Sequence, residues 1–186
     1  MKLTSIESLK LYLEKEDDTH DELLDSIIDQ VSARIETALN RELTKMERNQ
    51  YFEGGKRYYY LCAYPIDITE PVVVEINGDI KTLDSDYYVW EKEGLIHFVY
   101  VTADNVPKNV NITWTGGYEE IYGVLDVPYD LKRACLMESA FEFRRRFDGG
   151  LSGVSMQSGS ISVNQPSSLL PEVIETIKSY RKYPYG

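Results

Sequence analysis

The sequence predicts an α+β protein that is mainly α, with a bundle of about four helices, a small antiparallel β element and a C-terminal helical arm. Two observations lead to this prediction. Apolar residues recur at helical spacing near both ends of the chain, whereas the middle contains short runs rich in β-branched and aromatic residues. With 186 residues, the chain is long enough to bury a substantial core.

Two helices are expected near the start of the chain, over residues 5–14 and 20–40. Thr4 and Glu7 have the spacing of a capping box, and Thr19 and Glu22 repeat it. In the second helix, the apolar side chains fall on one arc of the surface, which is typical of a helix packed on a core. These residues are Leu23, Leu24, Ile27, Ile28, Val31, Ile35, Ala38 and Leu39.

A β-rich middle is expected over residues 50–115. Its strand-like runs are residues 58–61, 72–76, 87–90, 95–98 and 110–114. Asn77-Gly78-Asp79 is a strong signal for a hairpin turn, and Glu93-Gly94 separates the next pair of runs. Short strands joined by short turns favour antiparallel pairing.

A third helix is expected over residues 128–147, where Pro128 suits the first turn. Its apolar residues form two rows, although a helix on a protein surface needs only one. The second row therefore predicts contact with a further neighbour. The first row is Leu131, Ala134, Cys135, Met137 and Phe141, and the second is Leu136, Ala140, Phe143 and Phe147.

The third helix ends in Arg144-Arg145-Arg146, the sharpest charge cluster of the chain. Cations at this position suit the negative end of the helix dipole. The alternative is a patch that faces another subunit or DNA. The sequence leaves both interpretations open.

Residues 148–168 are predicted to be a flexible linker or loop, because 11 of these 21 residues are glycine or serine. Within it, residues 160–163 have the pattern of a short strand. Residues 169–186 are predicted to form an amphipathic helix or arm that must dock on its own domain or on another chain. Its apolar stripe is Leu169, Leu170, Val173, Ile174, Ile177 and Tyr180.

The charge is strongly acidic, with a net value of −11. Residues 1–50 and 51–126 carry −5 and −8, whereas residues 127–186 carry +2. Because phosphate contacts need Lys and Arg, this balance argues against nucleic-acid binding as the main activity. No apolar run approaches the roughly 18 residues of a membrane span, and the first residues lack the apolar core of a secretion signal.

Catalytic, cofactor and metal sites are not expected. His20 lies in an acidic helix start without ligand spacing, and His97 fits the face of a sheet. Cys62 and Cys135 lie far apart and are expected to be buried thiols. The run Tyr58-Tyr59-Tyr60 favours sheet packing over a stacking platform, although the 15 tyrosines of the chain are compatible with a large interface.

The order of these segments resembles the head-tail connector, or head-completion adaptor, family of tailed bacteriophages. The segment SIESLKLYL leads through an acidic turn into DELLDSIIDQVSARIETALNREL, and a β-rich middle follows with Tyr64-Pro65-Ile66 and Asp86–Val89. ITWTGGY then precedes VPYDLKRA and the long helix that ends in arginines. The resemblance covers about residues 3–147, and LLPEVIETIKSYRKY is similar to the C-terminal segment of the family.

The resemblance implies a structural, non-enzymatic protein of the virion neck that is assembled in the cytoplasm of a bacterial host. It implies a ring of about twelve subunits below the portal protein, in which DNA passes through without sequence-specific binding. The ring would extend the DNA channel and support the next neck, stopper or tail protein. The resemblance implies neither a cofactor nor binding to a membrane.

The residues expected at a subunit or portal interface lie on the third and last helices. They are Leu136, Ala140, Phe143, Arg144, Arg145, Arg146, Phe147, Leu170, Val173, Ile174, Ile177, Tyr180 and Arg181. The alternatives are another neck or tail-completion protein, a DNA-binding regulator that uses the first two helices, and an unrecognised enzyme. The net charge of −5 over residues 1–50 disfavours the regulator.

Overall fold

A computed structural model describes residues 1–100, 106–146, 153–156, 159–162 and 169–182. The described residues form four helices and antiparallel sheets, so the fold is a mixed α+β fold. The predicted bundle with short strands is matched only in part, because two of the strands are seven residues long. The helices are α1 (Ile6–Tyr12), α2 (Asp21–Leu39), α3 (Tyr129–Arg145) and α4 (Pro171–Tyr180).

By its internal contacts the chain divides into two units. The helical unit comprises Met1–Leu39 and Ile121–Arg181, and the sheet unit comprises Asn40–Glu120 and Lys182–Gly186. All four helices therefore lie in one unit, and most of the strands lie in the other.

The helical unit is built on the predicted apolar arc of α2. Ile28, Ile35 and Leu39 on this arc are fully buried. α2 packs against α1, α3 and α4, so its apolar face is covered within the chain. Ser32 lies on the same face, where its hydroxyl accepts a 3.0 Å hydrogen bond from the N–H of Leu3.

The cap of α1 differs from the prediction by one residue. Ser5 is the N-cap, and its hydroxyl accepts a 3.2 Å hydrogen bond from the N–H of Ser8. Thr4, which was expected to cap the helix, is buried instead. The cause is that Ser5 repeats the same capping chemistry one position later, which spacing alone cannot distinguish.

The sheet unit holds two antiparallel sheets, with strand orders β1-β7-β3-β4 and β2-β6-β5. The predicted runs appear as β2, β3, β5, β6 and β7, but β1 was missed because its sequence, MERNQYF, is largely polar. The strands are β1 (Met46–Phe52), β2 (Tyr58–Tyr60), β3 (Val73–Ile76), β4 (Asp79–Ile80), β5 (Tyr87–Trp90), β6 (Leu95–Phe98) and β7 (Val110–Gly116).

Three features of the sheet unit match the sequence pattern closely. Asn77 and Gly78 join β3 to β4 with φ values of 54° and 87°, which is the geometry of a two-residue hairpin turn. Along β7, Val110, Ile112 and Trp114 alternate inward and are fully buried. The indole N–H of Trp114 donates a 3.0 Å hydrogen bond to the carbonyl of Ala63, so the one polar atom of that ring is satisfied in the core.

Two further short hairpins complete the described strands. One of them lies in the predicted linker and includes most of the run expected to form a strand, residues 160–163. The rest of the linker prediction falls outside the described residues. The strands are β8 (Glu120–Ile121), β9 (Val124–Leu125), β10 (Gly153–Met156) and β11 (Gly159–Ser162), paired β8 with β9 and β10 with β11.

Candidate assembly interface

The two apolar rows of α3 are covered largely within the helical unit. α3 packs against α1, α2 and α4. Of the second row, Ala140 and Phe143 are buried, whereas Leu136 is half-buried. Phe147 lies outside the described residues. Leu136 is therefore the described member of this row that keeps exposed apolar surface.

The arginine cluster divides into two kinds of side chain. Arg145 forms a 3.3 Å ion pair with Glu142, which also holds Arg34 at 2.9 Å. Arg144 and Arg146 are exposed, and neither side chain pairs with any described residue. Arg145 therefore belongs to the packing of α2 against α3, while Arg144 and Arg146 present their charges to solvent.

Helix α4 docks on its own chain, against α2 and α3, which is one of the two alternatives that the sequence left open. Val173 and Ile177 are buried in this contact. The other predicted interface residues of this segment retain exposed surface. Leu170, Ile174 and Tyr180 are half-buried, and Arg181 is exposed.

Glu138, which the sequence analysis did not single out, fastens α4 to α3. Its carboxylate accepts a 2.9 Å hydrogen bond from the N–H of Leu170, the N-cap residue of α4, and lies 3.7 Å from Arg34. A carboxylate at this position also suits the positive end of the α4 dipole. The side chain is only 1% exposed, and burial raises the pKa of the carboxyl, against the opposing effects of the Leu170 N–H and Arg34.

The raised pKa of Glu138 predicts how stability depends on pH. Because the folded protein holds this proton more tightly than the unfolded chain does, the group adds stability as the pH falls. We expect the wild type to gain stability relative to Glu138→Gln between neutral pH and 4.5, the ordinary pKa of the group. Urea unfolding of both proteins across this range checks the prediction. Parallel stability curves would contradict it, and Glu172→Gln, at an exposed position, is the control.

A cleft of about 460 Å³ opens in the helical unit beside α2 and α4. Ile174, one of the predicted interface residues, lies on its wall, and the lining is mostly apolar. Small side chains on α2 leave this space open, since two of the lining residues are alanines. The lining residues are Ala33, Arg34, Thr37, Ala38, Leu169 and Ile174.

The sheet unit carries an aromatic face that the sequence analysis did not identify. Tyr58 and Tyr88 flank His97 in one cross-strand row of β2, β6 and β5, with ring centroids 4.7 and 6.5 Å from the His97 ring. Trp90 lies two residues further along β5 on the same face. Tyr58, Tyr88 and Trp90 are 49%, 45% and 50% exposed, although Tyr59 points into the core. The position of His97 on a sheet face, expected from the sequence, is confirmed.

Among the described residues, no three His, Cys, Asp or Glu side chains come together in a way that would hold a metal ion. In the part of the chain that the structure describes, no helix has the length and apolar character required to cross a bilayer. Burial raises the pKa of the Cys135 thiol to about 11, so this cysteine is held as an unreactive thiol.

Residues 2–183 match the sequence model of a family described as head completion protein. The chain belongs to the head completion protein family. No curated protein matches the chain in sequence. The match runs through both the helical unit and the sheet unit, so it includes all of the segments on which the resemblance was based.

Solved structures that share the fold of this head completion protein include two from gene transfer agent particles. One is described as the neck of an empty gene transfer agent particle computed with C6 symmetry, with a TM-score of 0.57 and 13% identity. The other is described as the virion of a native gene transfer agent particle, with a TM-score of 0.54 and 16% identity. In each case the match covers 100% of this chain and 96% of the other.

The predicted family and the function that it implies are confirmed: this head completion protein is a structural head-tail adaptor. The interface residues themselves stay a prediction. The structure brings α3 and α4 together but buries Ala140, Phe143, Val173 and Ile177 within one chain.

Proposed function

We propose that this protein assembles as a ring below the portal of a phage or prophage capsid, extends the DNA channel and supports the next neck or tail protein. The observation that carries the proposal is the head completion match over residues 2–183. The ring contains about twelve subunits joined by one repeated head-to-tail contact, and this number matches a dodecameric portal. A twelve-fold ring is also compatible with the C6 symmetry of the similar neck structure.

The charge of the chain supports a channel that DNA crosses without being held. With a net charge of −11, the protein repels phosphate rather than binding it. We therefore assign no sequence-specific DNA contact and no catalytic step to this protein. Its partners are its own copies, the portal protein and the following neck, stopper or tail protein, and it is assembled in the bacterial cytoplasm.

The surfaces available for these contacts follow from the exposure of the predicted residues. Leu136, Arg144 and Arg146 on α3 and Ile174 and Arg181 on α4 keep accessible surface in the single chain. We assign contacts between subunits or with the portal to these side chains. Ala140, Phe143, Val173 and Ile177 then act indirectly, because their burial holds α3 and α4 in place.

A genetic experiment tests the function. Deleting the gene in a phage or inducible prophage should give heads that package DNA but carry no tail. Electron microscopy of the lysate, with the gene supplied from a plasmid as control, measures the fraction of tailed particles. Tailed, infectious particles in the deletion strain at wild-type numbers would refute the proposed role.

A further inference from the structure

The aromatic face brings three exposed aromatic side chains together on one side of a single sheet. Tyr58, Tyr88 and Trp90 are each about half exposed on one side of a three-stranded sheet, while Tyr59 and Tyr87 on the opposite side are buried. Alternation along the strands therefore gives this sheet a second aromatic side that the described residues do not cover. Clustered exposed aromatic rings of this kind are typical of protein contact sites.

The charges beside this face are mostly negative. Asp84 and Asp86 precede β5, and Glu91 and Glu93 lie with Lys92 in the β5–β6 turn, whereas Lys56 and Arg57 precede β2. Glu91 and Glu93 are exposed, and neither carboxylate forms an ion pair with a described residue. Aromatic faces attract cations, and the surrounding carboxylates strengthen that preference. The partner of this face therefore presents positive charge, with guanidinium as the best-fitting group because it stacks on aromatic rings.

The same chain carries a surface with the complementary chemistry. Arg144 and Arg146 are exposed at the C-terminal end of α3 and pair with no described residue. They lie in the net-positive part of the chain, residues 127–186. A ring joined head to tail needs two different surfaces on each subunit that fit one another, which an arginine end and an aromatic face provide.

We infer that the aromatic face of each subunit, formed by Tyr58, Tyr88 and Trp90, receives Arg144 and Arg146 of the neighbouring copy. The inference rests on the proposed ring. A nucleic acid is the weaker candidate for this face, because residues 40–120 contain 14 acidic and eight basic side chains. The pairing also gives a function to the two arginines that do not contribute to packing within the chain.

Two variants test the contact in the full-length protein, each altering one surface. Tyr88→Ala/Trp90→Ala removes aromatic area, and Arg144→Glu/Arg146→Glu reverses the charge. Native mass spectrometry counts the copies that assemble alone and on isolated portal rings. We expect each variant to assemble about 10- to 100-fold more weakly than wild type. The matched controls are Tyr129→Ala and Arg133→Glu, which change exposed residues of α3 away from its arginine end.

Mixing the two variants gives the sharper result. Each retains one intact surface, so a one-to-one mixture should form heterodimers but no ring. Wild-type assembly by either variant alone, a mixture without heterodimers, or loss of DNA binding instead of assembly in Tyr88→Ala/Trp90→Ala would overturn the inference. A wild type that stays monomeric alone and on the portal would instead refute the proposed ring, and the inference with it. Thermal unfolding at the wild-type temperature shows that the variants are folded.

Discussion

Replacing Gly117 with alanine is expected to destabilise the sheet unit by roughly 3 kcal/mol or more. Gly117 follows the last residue of β7 and has a φ of +113°, a conformation that residues with a side chain rarely adopt. An added Cβ would also lie 2.6 Å from the carbonyl oxygens of Leu43 and Thr44. Because these are backbone atoms, the clash can be relieved only by moving the chain.

Gly78→Ala is the matched control, because Gly78 also has a positive φ, +87°, but nothing lies within 4 Å of an added Cβ. This variant bears conformational strain without a clash and should lose only about 1 kcal/mol. Urea unfolding followed by tryptophan fluorescence measures both variants, since Trp114 is fully buried in the same unit. Equal losses in the two variants would contradict the explanation based on close packing.

Truncating Val173 and Ile177 to alanine is expected to release α4 from the helical unit. The two side chains are 0% and 5% exposed, and their loss should cost roughly 4 kcal/mol. A helix of 10 residues is too short to persist in water without such docking. Hydrogen exchange over residues 171–180 should therefore rise to the rate of an unfolded segment.

The control for this variant is Glu172→Ala/Glu175→Ala, which changes two exposed residues of the same helix. Its exchange should match that of the wild type. Unchanged protection in Val173→Ala/Ile177→Ala would show that α4 is held by other contacts. Residues 165–186 include α4. Deleting them to test whether the C-terminal segment binds the portal would therefore also expose the surfaces of α2 and α3 that α4 covers.

The sequence predicts those parts of the fold in which the local residue pattern agrees with how the residues pack. The apolar arc of α2 and the inward alternation of β7 follow directly from periodicity. The Asn77-Gly78 turn follows from the rarity of residues that tolerate positive φ. β1 escaped detection because an edge strand with many polar side chains lacks the alternation that marks a half-buried strand.

The candidate interface could be predicted less completely, because amphipathicity shows that a surface is covered but not what covers it. The two rows on α3 were correctly seen as apolar, yet α1, α2 and α4 account for much of that cover. The aromatic face depends on the register of three strands, which places Tyr58 and Tyr88 beside His97. No spacing within one strand reveals such a row.

Cryo-electron microscopy of the neck, in particles carrying a tagged copy of the chain, tests whether this head completion protein forms a closed ring between the portal and the next protein of the neck. We expect density for this fold in a continuous ring of about twelve subunits against the portal. A neck that lacks the chain, or holds it as isolated copies without contacts between them, would contradict the proposed ring.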